Sequence, residues 1–167
     1  MKKRWICLFV ENEIGVLARI SGLFSAKSYN LDSLTVGVTE DPTISRMTIS
    51  LTSDDKTFEQ IKKQLNRSVE VIKVVDYTDT PVHKKEILFV RVNSCSKEDK
   101  TELFRVAEIF PVSVIDYDFS SVLLECTQSE QENNALISLL KKRFLNRLEI
   151  TRGGTVAVEA VTNQLSG

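Results

Sequence analysis

Apolar positions along the chain change period several times, and each change marks a new element. Residues 4–10 form an almost unbroken apolar run, the pattern of a strand covered on both faces or paired across an interface. Val16, Leu17, Ile20, Leu23 and Phe24 then recur at helical spacing as far as Ser28, after which Leu34, Val36 and Val38 alternate as a strand does. Glu40-Asp41-Pro42 supplies turn chemistry, and Met47, Ile49 and Leu51 alternate beyond it, so a hairpin is expected. Asp54 or Asp55 can cap a helix that carries Phe58, Ile61 and Leu65 on one face, and residues 69–77, rich in Val and Ile, read as a strand. The order is β-α-β-β-α-β.

Residues 78–85 are polar, contain Pro81 and lack any period, which makes them the expected linker. The first order then repeats. Residues 86–92 read as a strand, residues 99–110 as a helix with Leu103, Phe104, Ala107 and Phe110 on one face, and residues 112–117 and 121–127 as two more strands. A helix over 132–144 carries Leu136, Ile137, Leu139, Leu140 and Phe144. Residues 148–158 hold a last strand interrupted by Gly153-Gly154, and residues 159–167 read as a loose tail. The expected class is α+β, with two ferredoxin-like domains at residues 1–77 and 86–158, each a four-stranded antiparallel sheet with both helices on one face. The other sheet face then needs covering, and a second copy, within the chain or in a homodimer, does this best.

Composition narrows the partners. The chain's 167 residues are 42% hydrophobic and 27% charged, which suits a soluble, core-forming protein. With 22 basic against 23 acidic side chains there is no basic excess to neutralise a phosphate backbone, so nucleic acid is not an expected partner. The apolar run behind Met1-Lys2-Lys3-Arg4 stops at Glu11 and is too short for a signal segment, and no stretch approaches a membrane span. A cytoplasmic protein without a membrane partner is expected. Cys7, Cys95 and Cys126 are widely spaced, and Cys7 and Cys126 fall in strand-like runs as small hydrophobes.

No catalytic constellation is visible in the sequence. His83 is the only histidine and falls in the expected linker, which speaks against a metal or general-base role. Asp54-Asp55 and Glu98-Asp99 sit at helix starts, where capping accounts for them. The stretch Glu11-Asn12-Glu13-Ile14-Gly15-Val16-Leu17 leaves a strand and opens a helix through a glycine. The first amides, Gly15 to Leu17, lack intrahelical acceptors and suit a carboxylate, while the amide oxygens of Asn12 and Asn30 suit an ammonium group. The same residues also suit a plain turn and helix start.

The run from Glu11 to Ile20, with Gly22-Leu23-Phe24-Ser25, Tyr29-Asn30-Leu31-Asp32-Ser33 and Asp41-Pro42-Thr43-Ile44-Ser45-Arg46-Met47-Thr48, resembles the N-terminal ACT domain of acetolactate synthase small subunits. The likeness covers residues 4–77 nearly continuously. The second half resembles the family more faintly, through Glu108-Ile109-Phe110, Val114-Ile115-Asp116, Ala135-Leu136-Ile137, and Arg152, Gly154, Val156 and Ala157. It departs where Phe110-Pro111-Val112-Ser113 replaces a usually basic stretch and where Gln128 stands in place of a common glycine. The resemblance implies a non-catalytic regulatory subunit that activates a large catalytic subunit in branched-chain amino acid biosynthesis. It further implies a homodimer that binds valine, or a related branched-chain amino acid, for feedback inhibition. The ligand-binding positions so implied are Asn12, Gly15, Val16, Leu17, Asn30 and Leu31, the last two from the neighbouring subunit. Thiamine diphosphate, magnesium and FAD are expected on the catalytic subunit, with no cofactor on this chain.

Two rival readings share the fold. An RNA-binding module of the same strand order needs a glycine and aromatics on its third strand, which Arg46-Met47-Thr48-Ile49-Ser50-Leu51 lacks. An ACT-type sensor serving a different enzyme or a transcription regulator differs only in the string over residues 41–48 and the linker position.

Overall fold

A computed structural model of the chain describes residues 1–26 and 29–162; the expected helix end at Ser28 and residues 163–167 of the expected tail lie outside the described residues. Two units emerge. Of the described residues, the first comprises 1–83 with 156–162, and the second is Lys84–Thr155.

The first unit runs β1 (Lys2–Glu11), α1 (Val16–Ala26), β2 (Leu31–Val38), β3 (Ile44–Ser53), α2 (Asp55–Arg67) and β4 (Val71–Asp76), with sheet order β2-β3-β1-β4. The chain continues through β5 (Val82–Val92), α3 (Lys97–Ile109), β6 (Val112–Tyr117), β7 (Val122–Gln128), α4 (Glu130–Phe144), a 3-10 turn at Leu145–Arg147 and β8 (Leu148–Glu159), with order β6-β7-β5-β8. The α+β class and the doubled βαββαβ pattern are as expected.

In the first unit the alternation of β1 serves two clusters. Ile6, Leu8 and Val10 join Met47, Ile49 and Leu51 of β3 under Val16, Ile20 and Phe24 of α1 and Phe58, Ile61 and Leu65 of α2. Trp5 and Cys7 point to the other face and pack with Tyr77, Val82 and Ala157. The unbroken apolar run is thus explained: the outer face is covered in part by the chain's own residues around Val82 and Ala157. Asp54 caps α2, its carboxylate accepting from the Thr57 amide at 2.8 Å. Ser96 with Asp99 and Ser129 with Glu132 form reciprocal capping boxes on α3 and α4.

The structure revises several element details. β5 begins at Val82, within the expected linker, because Val82, Lys84 and Glu86 turn inward relative to His83 and Lys85; the polar composition hid that alternation. His83 is therefore an exposed strand residue. β8 continues through Gly153-Gly154: Gly154 takes φ +80°, and a Cβ on Gly153 would lie 2.6 Å from Ile87 Cγ2, so both glycines serve the strand and do not end it. On α3 the buried face is Asp99, Leu103 and Val106, while Phe104 and Phe110 stay exposed. The Phe104 ring meets Tyr117 edge-on at 5.7 Å. On α4 Asn133 is buried and Leu139 is not.

Candidate functional site

The loop between β1 and α1 is fastened by four hydrogen bonds before it turns. Glu11 donates its amide to the Glu70 carbonyl at 2.9 Å, and Asn12 donates its own to the Thr43 carbonyl at 2.7 Å. The Asn12 side chain binds the same hairpin: Nδ2 donates to the Pro42 carbonyl at 2.9 Å, and Oδ1 accepts from the Ser45 hydroxyl at 3.0 Å. That hairpin is itself tied by hydrogen bonds within its turn. The Asp41 carboxylate accepts from the Thr43 hydroxyl at 2.7 Å and the Thr43 amide at 2.9 Å, and these bonds hold its pKa below the ordinary value.

Gly15 then takes φ +87°, a left-handed conformation that costs any side-chain-bearing residue steric strain. Its carbonyl accepts the first helical bond, from the Arg19 amide at 3.0 Å. The Val16 amide bends back to the Glu13 carbonyl at 3.3 Å, so it is not free as the sequence suggested. The amides of Leu17 and Ala18 are left without intrahelical acceptors, and the positive end of the α1 dipole lies over them. Val16 is buried beneath this turn, whereas Ile14 and Leu17 are exposed. Beside Gly15, the Arg19 guanidinium pairs with Glu70 at 2.6 Å.

Asn30 is exposed and lies past the far end of α1, where the Tyr29 amide closes the helix on the Phe24 carbonyl at 3.1 Å. Leu31 opens β2, pairs with Leu51 and packs half-buried on the core. The structure therefore gathers Asn12, Gly15, Val16 and Leu17 at one end of α1 and Asn30 with Leu31 at the other. The 11 residues of α1 place those ends about 16 Å apart. Strand β2 is the sheet edge and exposes Val36 and Val38.

Sequence reasoning missed a second cluster on the outer sheet face. Arg46, in the middle of β3, donates from Nη2 to the Tyr77 hydroxyl at 2.8 Å and to the Ala157 carbonyl at 3.1 Å. Its Nε reaches Cys7 Sγ at 3.2 Å, and its guanidinium carbon stands 5.3 Å from the centre of the Phe9 ring. The Ala157 amide points to the Thr48 hydroxyl at 3.4 Å. Burial, and after it the neighbouring Cys7, push the Tyr77 phenol up to about 12. The available signal was a basic residue on the strand face whose β1 partners are Trp5, Cys7 and Phe9. Among the described residues no group of three or more His, Cys, Asp and Glu side chains gathers as a metal site, and no helix is long and apolar enough to cross a membrane.

Two family models match the chain, an AHAS small subunit-like ACT domain over residues 6–73 and the small subunit of acetolactate synthase over residues 85–161. The chain belongs to the acetolactate synthase small subunit family. It is 40% identical to the acetolactate synthase small subunit of Aquifex aeolicus across 95% of this chain and 81% of that one. With the Haemophilus influenzae small subunit it shares 37% identity across 93% of this chain and 94% of that one. The crystal structure of the Thermotoga maritima small subunit superposes with a TM-score of 0.85 at 33% identity, covering 97% of this chain and 99% of that one. The family is that of the small, regulatory subunit and not of the catalytic one, and the ACT unit is the regulatory part.

Proposed function

We propose that this small subunit binds a branched-chain amino acid, valine foremost, across a homodimer interface, and through that occupancy restrains a catalytic subunit that it otherwise activates. The observation that carries the reading is the separation of the two halves of the site by the length of α1. Valine is far shorter than about 16 Å, so one ligand can touch the Gly15 loop and Asn30 only if they come from two chains. The exposed apolar edge of β2 suits such a pairing.

In this arrangement the Leu17 and Ala18 amides receive the ligand carboxylate, with Gly15 allowing its close approach and buried Val16 seating the turn. The partner's Asn30 accepts from the ligand ammonium through Oδ1, and Leu17 and the partner's Leu31 meet the aliphatic side chain. Asn12 holds the loop and keeps one lone pair of its amide oxygen for the ammonium. Sensing and dimerisation then fall to residues before the segment 78–85, and the second unit serves docking. Thiamine diphosphate, magnesium and FAD stay with the catalytic subunit, and the complex works in the cytoplasm.

Subunit complementation tests the reading. Gly15→Asp strains the left-handed turn before the Leu17 and Ala18 amides and brings a like charge beside the ligand's carboxylate, and Asn30→Ala removes an acceptor for a charged group, a loss of about 1.5–3 kcal/mol. Each variant alone should lose valine inhibition of the reconstituted enzyme while still activating it. Mixed and re-equilibrated, the two should regain roughly a quarter of the valine sites in calorimetry, because each heterodimer joins one intact pair of halves. Recovery of no sites from variants that still dimerise would show that both residues serve the ligand from one chain, or not at all.

A further inference from the structure

We infer that the second unit carries a separate ligand site, a cleft beside α4 that takes an aliphatic carboxylate: an apolar chain with one anionic head. The cleft has a volume of about 580 Å³, within the range of small-molecule sites and well above a packing defect. One wall is a stripe of α4 at Ala135, Leu139 and Lys142, spaced i, i+4 and i+7 and adjacent to the buried face of that helix. The facing wall is Phe110, Pro111 and Val112, where α3 gives way to β6. Leu136 and Cys126 lie buried between the two walls. Burial raises the Cys126 thiol above its ordinary pKa, so the floor is an apolar surface and offers no nucleophile.

The polar groups at the rim decide the head group. The Glu132 carboxylate is already engaged by the Ser129 hydroxyl at 2.6 Å and the Ser129 amide at 3.0 Å. Gln128 has its amide oxygen occupied by the Lys85 ammonium at 2.9 Å. Lys142 is exposed and takes part in no ion pair among the described residues, unlike neighbouring Arg143, which is drawn to Asp99 at 3.3 Å. The one uncommitted charge on the cleft is thus positive, at the end of α4 far from Glu132. Ten residues of helix separate those two rims, about 15 Å, which sets the length of chain the cleft can cover.

Calorimetry on the full chain with hexanoate, octanoate, decanoate and decanol tests the inference. Decanoate should bind once per chain, and each added methylene should tighten binding about two- to fourfold. Ala135→Phe fills the cleft from an exposed helix position and should weaken decanoate tenfold or more, while valine inhibition of the reconstituted enzyme stays unchanged. Lys142→Glu should weaken decanoate about three- to tenfold and leave decanol unaffected. Absence of saturable decanoate binding below about 1 mM, no dependence on chain length, or an unaltered affinity in Ala135→Phe overturns it. If decanoate fails to bind and Ala135→Phe instead abolishes stimulation of the catalytic subunit, the cleft is a protein-docking surface and the inference is equally overturned. Because valine inhibition is read separately, failure here and failure of the amino-acid site remain distinguishable.

Discussion

Replacing Arg46 by methionine keeps the aliphatic stem and removes the guanidinium that fastens Ala157 to the sheet. Two hydrogen bonds to oxygen from a charged donor are lost, to the Tyr77 hydroxyl at 2.8 Å and the Ala157 carbonyl at 3.1 Å, and with them the weaker bond from Nε to Cys7 Sγ at 3.2 Å. Both partners are almost fully buried, at 2% and 1% exposure, so neither regains water without local opening. A hydrogen bond to a charged group nets about 1.5–3 kcal/mol, but the cost of burying the guanidinium is relieved at the same time, which places the expected loss at about 2–4 kcal/mol. A domain of ordinary stability, about 5–15 kcal/mol, survives that loss in a folded state. Arg46→Lys should cost less, since its ammonium keeps the charge and N–H donors for these acceptors and loses the Nε contact to Cys7. Thr48→Val should cost least, about 0.5 kcal/mol, because its bond to the Ala157 amide is long at 3.4 Å.

Trp5 makes this measurable. It is the single tryptophan of the chain and packs with Cys7, Tyr77 and Ala157 in the affected cluster, so its emission reports the cluster directly during urea unfolding. The expected ranking of midpoints is wild type, Thr48→Val, Arg46→Lys, Arg46→Met, from high to low. An Arg46→Met chain with unchanged midpoint and unchanged Trp5 emission would refute the argument that this contact holds the segment in place.

Asp99 gives a pH-dependent expectation. The Arg147 hydrogen bond, then the Ser96 amide, hold its carboxyl down at about 2, so its stabilising contribution is complete above the ordinary value near 4 and is lost as pH falls toward 2. Asp99→Asn should lower the urea midpoint at pH 7 and flatten its fall between pH 4 and 2; an unaltered acid limb would refute the assignment. A fragment of residues 1–77 lacks Val82 and Ala157 and uncovers Trp5, Cys7 and Tyr77. Its Trp5 emission should be red-shifted relative to the full chain, and a blue-shifted, fully protected Trp5 would show that the sheet face needs no such cover.

Among the described residues the period of the apolar residues located the strands and α-helices, though not the 3-10 turn at Leu145–Arg147, because each of those residues is read by its near neighbours along the chain. It failed where two stripes compete. On α3, Phe104 and Phe110 outweigh Val106 in bulk, yet the helix rotates to bury Val106 because Asp99 must also face inward to meet Arg143 and Arg147. Asn133 displaces Leu139 from the core of α4 for a similar reason: its Nδ2 donates to the buried Glu86 carboxylate at 3.0 Å, which Arg152 also binds at 2.7 Å. A pairing between residues 47 positions apart leaves no local trace. The departures from the family pattern at Pro111, Val112 and Gln128 were visible in the sequence, but only the fold brings them to one cleft.

The string over residues 41–48 shows the same limit from the other side. Its residue types were visibly special, and their purpose lay in contacts far along the chain. Asp41 and Thr43 close the turn, Pro42 and Ser45 hold the side chain of Asn12, and Thr48 faces the Ala157 amide. Arg46, next to Ser45, holds the Ala157 carbonyl from 111 positions away. Ser45 and Arg46 are consecutive in a strand, so their side chains emerge on opposite faces of one sheet. One faces the loop that shapes the start of α1, and the other faces the end of β8 at Ala157. A shift of β3 along its own axis therefore moves both attachments together. That is a physical reason for so many specific side chains to occupy a single hairpin, and it makes Ser45→Ala a sharper probe of the loop than any change at Asn12. It removes one 3.0 Å bond to Asn12, worth about 1 kcal/mol, and leaves the amide oxygen of Asn12 in place. Weaker valine binding in Ser45→Ala, with Trp5 emission unchanged, is the expected result. Unchanged binding would show that the loop holds its shape through its backbone bonds alone.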